Sequence, residues 1–481
     1  NIALEVLQNS QLLKKIIVFD KEELVKEAAH TMDYHDMVLL GEKSSRHFEV
    51  EHRQSEAVET DLACILYTSG TTGNPKGVML PHECFNEAMR INSLRLTSLS
   101  DKDTSIAFLP LSHVFERTWC YLCLFKGVQI YINAFPTEIQ QTIKDVRPTL
   151  MCAVPRFWEK VYIGVNENIS KFSPFKQGLV TWAIATGKQY NLDCLRIGKK
   201  PSALLSMKYA VADRLVFSTL KEKIGIENAN MLPTAGAKLS DEIANFFRCI
   251  GVPIVYGYGL TESTATVSCY DYADYEIGTV GSIMPDVDVK IGDDNEIMLK
   301  GKTIFPGYYN NPEANKEAFT EDGWFRTGDA GIVRNGKIIL TERIKDLFKT
   351  SNGKYIAPQE IESRLGLDKY IEQVAVIGDE RNYVTALISP SKPAIEEYAK
   401  KNKIAFENVS ELLQHPLIHD LIKERIAELQ KGMASYELIK RFTLIPKSFT
   451  IETGELTNTL KIRRAVVMSK YKLQIEEMYN N

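Results

Sequence analysis

Residues 67–78 read YTSGTTGNPKGV and follow the apolar, strand-like run Ala63–Tyr67. The loop is rich in Gly, Thr and Ser and contains one lysine, Lys76. Small residues let backbone N–H groups point toward one centre, hydroxyls add donors, and lysine adds positive charge, so we predict an anion-binding loop with phosphate as its guest. A Walker loop has Gly before its lysine and Ser or Thr after it, whereas Lys76 lies between Pro75 and Gly77. The stretch therefore predicts phosphate chemistry of another type.

The composition is that of a globular protein with more than one structural unit. The chain has 481 residues, 44% of them hydrophobic, and a formal net charge of -4. No run of like charge provides a basic field, so nucleic acid is not expected as a partner. The longest apolar stretch, Trp119–Phe135, is interrupted by Lys126 and Gln129, so no membrane-spanning helix is predicted. Peripheral contact with a membrane is left open.

The cysteines are scattered through apolar surroundings, which predicts reduced thiols in a cytoplasmic protein. A peripheral position on the inner face of the membrane stays open as an alternative. Cys120 and Cys123 form a C-x-x-C pair without a second pair or a nearby His cluster. We interpret them as packing residues, with a redox or metal role as the alternative.

Strand-like runs alternate with helical patterns through the first two thirds of the chain, which is typical of an α/β protein with mostly parallel sheets. From about Gly278 the signals DD and NG predict a small antiparallel β unit. Beyond Arg343 the pattern restarts as a smaller α+β segment, with a helix predicted at Pro358–Leu365 and strands at Gln373–Ile377 and Ala386–Ser389. We expect an N-terminal domain over residues 1–342, a linker over 343–348 and a C-terminal domain over 349–481.

Six short segments, each present once, follow one another along the chain in a fixed order. They are YTSGTTGNPKGV (67–78), LPLSHVFER (109–117), PTAGAKL (233–239), YGYGLTES (256–263), GWFRTGDAG (323–331) and ERIKDLFKTSNGKYIAPQEIE (342–362). Together they resemble the signature segments of the adenylate-forming enzymes, the superfamily of acyl-CoA synthetases, firefly luciferase and the adenylation domains of peptide synthetases. GELTNTLKIRR (454–464) resembles the segment that carries the catalytic lysine. AVPRFWEKVY (153–162) looks most like the long-chain fatty-acyl-CoA synthetases.

The resemblance implies an enzyme that uses ATP, Mg²⁺, a fatty acid and coenzyme A. A carboxylate attacks the α-phosphate of ATP to give acyl-adenylate and pyrophosphate, and the thiol of coenzyme A then displaces AMP. Two anions meet in the first step, so positive charge must be preorganised there.

The resemblance also assigns site residues. The phosphates are lined by one loop, the adenine and acyl carbonyl by two further segments, and the ribose by a carboxylate and an arginine. These nucleotide-binding residues are Thr68, Ser69, Gly70, Thr71, Thr72, Gly73, Lys76, Gly236, Ala237, Tyr256, Gly257, Tyr258, Gly259, Thr261, Asp329 and Arg343. Taken alone, each segment also fits a plain turn or a solvated loop.

The implied catalytic groups lie in four of the segments. Glu262 is placed on Mg²⁺, because a hard cation that bridges phosphates needs a carboxylate, with Thr261 as a phosphate donor beside it. Lys461 supplies charge to the attacking carboxylate, and His113 closes the acyl pocket. Lys345 is the hinge of a mobile C-terminal domain, and rotation there brings Gly353 toward the thiol. A structural, hydrogen-bonded histidine is the alternative for His113.

Two departures from the family pattern stand out. The chain starts without Met and without the residues that full-length members carry before LLKKIIVFD, so we expect an N-terminally truncated chain. Arg117 occupies the position where some long-chain relatives have an aromatic gate, so no such gate is predicted. The alternatives are a fatty-acyl-AMP ligase that serves a carrier protein and a catalytically silent nucleotide-binding homologue. Acyl chain length and oligomeric state are left open.

Overall fold

The computed structural model describes residues 2–19, 30–68, 75–271, 275–344, 347–351, 354–457 and 462–480. They form two compact units, Asn1–Asp61 and Leu62–Asn481. Several predicted site residues lie outside the described residues, namely Ser69, Gly70, Thr71, Thr72, Gly73, Lys345, Gly353 and Lys461.

The first unit is small and contains three helices and one pair of parallel strands, with α1 and α2 against the strands. Its elements in chain order are α1 (Ile2–Asn9), β1 (Ile16–Val18), β2 (Thr31–Asp33), α2 (Tyr34–Glu42) and α3 (His47–Glu56). The Asp33 carboxylate caps α2 by accepting a hydrogen bond of 2.9 Å from the backbone N–H of His35. Such a cap satisfies a backbone donor that the first helical turn leaves unpaired.

The second unit contains the remaining strands and helices. Its strands are β3 (Leu62–Thr68), β4 (Lys76–Pro81), β5 (Thr104–Ala107), β6 (Gln129–Ile132), β7 (Leu232–Thr234), β8 (Ile254–Tyr258), β9 (Ser268–Cys269), β10 (Ser282–Ile283), β11 (Asp288–Ile291), β12 (Glu296–Lys300), β13 (Phe325–Arg334), β14 (Lys337–Arg343), β15 (Phe348–Lys349), β16 (Tyr355–Ile356), β17 (Ile371–Ile377), β18 (Val384–Pro390) and β19 (Ile439–Leu444). Its helices are α4 (His82–Arg95), α5 (Val114–Phe125), α6 (Ile139–Val146), α7 (Pro155–Ser170), α8 (Pro174–Gly187), α9 (Ala203–Ala212), α10 (Ser218–Ile224), α11 (Asp241–Cys249), α12 (Pro312–Ala318), α13 (Pro358–Leu365), α14 (Lys392–Lys401), α15 (Val409–Gln414), α16 (Pro416–Leu429), α17 (Arg464–Lys470) and α18 (Lys472–Asn480).

Parallel pairing connects the strands of the first half of this unit, as the α/β pattern predicts. β5 pairs in parallel with β6, and β7 with β8. Between them the chain at Leu150 forms parallel bridges to Ser105 and to Met231. Residues 150–153 thus form isolated bridges, at Leu150 and at Ala153, in place of a continuous strand. Because β7 and β8 are parallel, the segments that follow them lie at the same edge of the sheet.

Antiparallel hairpins extend the sheet that contains β8. The eight-stranded order is β11-β12-β13-β14-β10-β9-β8-β7, in which only β7 and β8 are parallel. The predicted NG turn joins β13 to β14, with positive φ at Asn335 and Gly336, because a two-residue hairpin turn favours that conformation. The sequence had predicted that these antiparallel strands form a small separate unit. In the structure they instead continue the sheet that contains β7 and β8.

Within the second unit, the residues before Arg343 and the residues after it have separate buried cores. One large core is built from residues between Leu66 and Ile338. The segment after Arg343 forms its own clusters on the two faces of the three-stranded sheet β17-β18-β19, with α13 and α16 on one face and α17 and α18 on the other. Within the ranges that the structure describes, no helix is long and apolar enough to cross a membrane.

A buried acid lies at the start of α5. The Glu116 side chain is inaccessible to solvent, and the Cys120 thiol lies 3.8 Å from its Oε1 atom. Burial raises the pKa of Glu116 to about 8 and the pKa of Cys120 to about 12. Cys120 and Cys123 are both buried free thiols, consistent with packing residues.

The free energy of unfolding should therefore fall as the pH rises from the ordinary pKa of glutamate to about 8. Because the pKa of Glu116 is raised in the folded state, the neutral carboxyl favours folding below the ordinary glutamate pKa, and this contribution is lost as pH rises to about 8. We expect thermal unfolding to detect a loss on the order of 4 kcal/mol over that interval. The Glu116→Gln variant should lack this pH dependence. An unchanged profile in that variant would show that Glu116 is not the titrating group.

Candidate nucleotide site

A carboxylate at the end of the RTGD segment is the centre of the predicted ribose site. Asp329 is 6% exposed, accepts a hydrogen bond of 2.7 Å from the Tyr258 hydroxyl, and pairs with Arg343 at 3.0 Å from Nε to Oδ1. The antiparallel register of β13 and β14 places Asp329 directly opposite Arg343, and β8 ends at Tyr258. The three residues that the sequence had placed around the nucleoside are thus brought together.

The local backbone fixes the direction of this carboxylate. Gly328 has φ near +70°, and the Thr327 hydroxyl donates to the Ile297 carbonyl at 2.7 Å. The same hydroxyl accepts a hydrogen bond of 3.0 Å from the backbone N–H of Asp329. The Thr327 hydroxyl and the Asp329 N–H therefore have defined partners, and the Gly328 N–H donates to Glu296 at 2.9 Å.

A second carboxylate, Glu262, lies in the short helical turn that follows β8. Its Oε1 atom accepts a hydrogen bond of 3.0 Å from the Tyr308 hydroxyl, and its backbone carbonyl accepts one of 2.8 Å from the N–H of Phe305. Burial is the main cause that raises the pKa of Glu262, while the Tyr308 hydroxyl and the more distant Arg343 oppose the rise. Glu262 therefore lies within the electrostatic field of the Asp329 cluster. Thr261 occupies the first position of the same turn.

The strand that leaves the phosphate loop contacts the other side of Tyr308. The Lys76 Nζ atom lies 5.0 Å from the centroid of the Tyr308 ring. An antiparallel bridge between Val78 and Tyr308 holds this arrangement, together with a hydrogen bond of 2.8 Å from the Tyr309 N–H to the Gly77 carbonyl. Thr68 and Lys76 face each other across the β3–β4 hairpin. Tyr308 was not predicted from the sequence, because its segment FPGYYN lies outside the quoted motifs.

Two glycines of the YGYG segment are required by close packing. A Cβ atom at Gly259 would lie 2.2 Å from the Ala265 carbonyl oxygen, and one at Gly257 would lie 2.8 Å from the Ser268 carbonyl oxygen. Neither contact leaves room for a side chain. These glycines therefore let the chain on both sides of Tyr258 pack against the backbone of residues 265–268.

The segment predicted to border the adenine is held by Tyr256. Its buried hydroxyl donates to the Ala237 carbonyl at 3.0 Å and accepts from the Leu239 N–H at 3.0 Å, and burial raises the pKa of Tyr256 to about 12. Gly236 has φ near +93°, a conformation that favours glycine. Gly236 and Ala237 are exposed, so a ligand can reach them.

His113 lies at the residue that precedes α5 and is half-buried. The next turns of α5 line a mostly apolar cavity of about 70 Å³ with Phe115 and Trp119. Thr234 and Gly257 line its other side, so the cavity borders the nucleotide site.

Comparison with known proteins identifies the family. The AMP-binding enzyme family matches residues 2–309, and the C-terminal domain of AMP-binding enzymes matches residues 345–481. The chain therefore belongs to the AMP-binding enzymes.

Several relatives within this family carry names of long-chain ligases or synthetases. The chain is 34% identical over 435 residues to the long-chain-fatty-acid–CoA ligase FadD15 of Mycobacterium bovis, covering 90% of this chain and 72% of that protein. It is 31% identical to the peroxisomal long chain acyl-CoA synthetase 7 of Arabidopsis thaliana, covering 89% of this chain and 62% of that protein. The chain thus spans between about three fifths and three quarters of these relatives.

Solved structures agree on the fold. The adenylation domain of a carboxylate reductase from Mycobacterium chelonae superposes with a TM-score of 0.69 at 24% identity, covering 90% of this chain and 64% of that chain. The adenylation and carrier didomain of a carboxylic acid reductase from Segniliparus rugosus, solved with AMP, gives a TM-score of 0.62 at 25% identity, covering 88% of this chain and 54% of that chain.

Proposed function

We propose that this protein is an AMP-forming long-chain-fatty-acid–CoA ligase. The observation that supports the proposal most directly is the convergence of the Tyr258–Asp329–Arg343 group with the Glu262–Tyr308–Lys76 group. The first group fits a ribose and the second fits phosphates with a divalent cation. The similarity to long-chain ligases over most of the chain supports the choice of substrate.

In the first step, the protein holds ATP and the fatty acid together. Asp329 accepts hydrogen bonds from the ribose hydroxyls, because the two oxygens of a carboxylate match a vicinal diol. Gly236 and Ala237 border the adenine, while Thr68, Lys76 and the loop 69–73 bind the β- and γ-phosphates. Lys461 neutralises the attacking carboxylate and the α-phosphate, so that the two anions can approach.

Glu262 fits the role of a Mg²⁺ ligand. Its carboxylate is partly withdrawn from water and has a hydroxyl donor, Tyr308, whose ring also contacts Lys76 of the phosphate loop. Mg²⁺ in such sites uses one or two carboxylates plus substrate phosphates, so a dedicated protein cage is not needed. Accordingly, the described ranges contain no group of three or more acidic, His or Cys side chains suited to a metal. When bound, the cation would offset charge on the phosphates.

The acyl group would enter the cavity beside α5, with His113 near its entrance. The cavity is smaller than the roughly 300–1,000 Å³ of typical ligand pockets, so a long chain requires the lining side chains to move. In the second step, residues 349–481 would rotate about the hinge at Lys345 within 343–348. Lys461 would leave the site, and Gly353 would approach the thiol of coenzyme A.

A screen of pyrophosphate release tests this function. With ATP, Mg²⁺ and fatty acids of graded length, we expect release of pyrophosphate that is greatest with long chains, followed by AMP release when coenzyme A is added. Accumulation of acyl-AMP that coenzyme A cannot discharge would favour a fatty-acyl-AMP ligase. ATP binding without pyrophosphate release would favour a silent homologue.

Removal of the Tyr308 hydroxyl should shift the pH dependence of the first step. Glu262 must be ionised to bind a cation, and the Tyr308 hydroxyl stabilises its ionised form. In Tyr308→Phe the pKa of Glu262 should rise further, so the acid limb of kcat/KM for adenylate formation should move to higher pH. Tyr309→Phe changes an exposed neighbouring ring and is the matched control. An acid limb that is the same in both variants would contradict the role of Glu262.

A further inference from the structure

The first turns of α7, within the segment AVPRFWEKVY, contact the nucleotide site on one side. The Trp158 side chain is fully buried, and its Nε1–H donates to the Thr234 hydroxyl at 2.8 Å. Thr234 ends β7 and immediately precedes the segment 235–237 that borders the adenine. Trp158 thereby fixes one end of that segment.

On their other side, the same turns of α7 contact the residues that follow the linker, 349–481, which are called the C-terminal part below. The Arg156 guanidinium donates to the Glu372 backbone carbonyl at 2.7 Å and lies 3.5 Å from the Glu372 carboxylate. It also donates to Glu159 within α7 at 2.9 Å, and Lys160 lies 3.8 Å from the Glu372 carboxylate. Glu372 belongs to β17. One guanidinium is thus held between its own helix and a strand of the C-terminal sheet.

A second ion pair joins the two parts at the other end of the adenine segment. Lys238 pairs with Glu360 of α13 at 3.3 Å. In both contacts the cations belong to residues before the linker and the carboxylates to residues after it. The Lys238–Glu360 pair is well exposed and contributes little by itself, whereas the half-buried Arg156 adds a directional bond to a backbone carbonyl. The contact between Arg156 and Glu372 is therefore the stronger of the two.

We propose that Arg156 and Glu372 are positioning residues that hold the C-terminal part against the segment 234–238 for the thioester-forming step. The proposal rests on the proposed function, in which the two steps need different orientations of that part. α13 begins a few residues after Gly353, which is expected to approach the thiol, and its Glu360 touches Lys238 in this structure. The orientation held by Arg156 therefore brings the first turn of α13 against Lys238, beside the nucleotide site.

Charge reversal at Glu372 tests this role. In Glu372→Lys, a cation faces Arg156 and Lys160, so the held orientation is disfavoured. We expect thioester formation from preformed palmitoyl-adenylate to slow about tenfold, while ATP–pyrophosphate exchange with palmitate is unchanged. Trypsin cleavage within residues 343–354 should accelerate about tenfold for the same reason. The double variant Arg156→Glu with Glu372→Lys should recover part of the thioester rate.

Glu428→Lys is the matched control, because Glu428 is exposed on α16 and pairs only with its neighbour Lys431 among the described ion pairs. Thermal melting of each variant identifies any that fail to fold. Equal loss of both half-reactions, loss of pyrophosphate exchange alone, or unchanged trypsin cleavage in Glu372→Lys would overturn the proposal. If the wild-type protein shows no pyrophosphate exchange, the proposed function fails, and the trypsin comparison still decides whether the contact holds the two parts together.

Discussion

Asp329→Ala should raise the KM for ATP by about 100-fold. The carboxylate is the shared acceptor of Tyr258 and Arg343, so its removal would delete the proposed ribose ligand and leave two donors without this acceptor. Losing one partner of a buried, charge-assisted bond typically costs a few kcal/mol, and each 1.4 kcal/mol corresponds to about tenfold in affinity. Steady-state kinetics of pyrophosphate release against ATP concentration would measure the change.

Two further variants separate binding from folding at this site. Asp329→Asn keeps the volume and one acceptor oxygen, so its KM should lie between those of wild type and Asp329→Ala. Asp322→Ala removes an exposed carboxylate near the start of the same strand and should leave the KM for ATP unchanged. A KM for ATP in Asp329→Ala that matches the control would exclude Asp329 from the ribose site.

Lys461→Ala should lower the rate of adenylate formation by about 100- to 1,000-fold, the usual loss when one preorganised donor to a developing charge is removed. The loss should appear in kcat for pyrophosphate exchange, with ATP binding by calorimetry nearly unchanged, because the lysine acts on the reacting groups. Thioester formation from preformed acyl-adenylate should be largely retained, since the lysine is expected to leave the site before that step.

Lys440→Ala removes an exposed lysine of β19 in the same part of the chain and should be silent in both assays. Lys461→Arg keeps the charge and should retain part of the exchange rate. Exchange at the wild-type rate in Lys461→Ala would remove this lysine from the mechanism.

The sequence predicted elements best where a single residue dictates the backbone. Pro358 starts α13 at the predicted residue, because proline is well suited to the first helical turn, and Asn335–Gly336 forms the predicted hairpin. The motif segments also placed Glu262, Asp329 and Arg343 in one site, and the structure brings them near one another. The roles of these residues stay predictions until the variants are measured.

Contacts between segments far apart in the chain could not be predicted in this way. Tyr308 reaches Glu262 from a turn that is fixed to β4 by an isolated bridge with Val78, and no local pattern encodes that pairing. The Arg156–Glu372 contact depends on how two independently built cores meet. Likewise, NG and DD predicted the hairpins, yet their strands join the main sheet through β9 and β10, which are too short to show a period.

With Lys76 on the triphosphate and Glu262 on the divalent cation, as proposed above, Tyr308 would make the affinities for these two ligands interdependent. Its ring face lies against Lys76, and its hydroxyl is bonded to Glu262, so a change on either side is felt through one rigid side chain. By thermodynamic reciprocity, the factor by which the cation tightens ATP binding must equal the factor by which ATP tightens cation binding. Through this one aromatic ring, the protein would add its own contribution to the cooperativity that the magnesium–nucleotide complex already has.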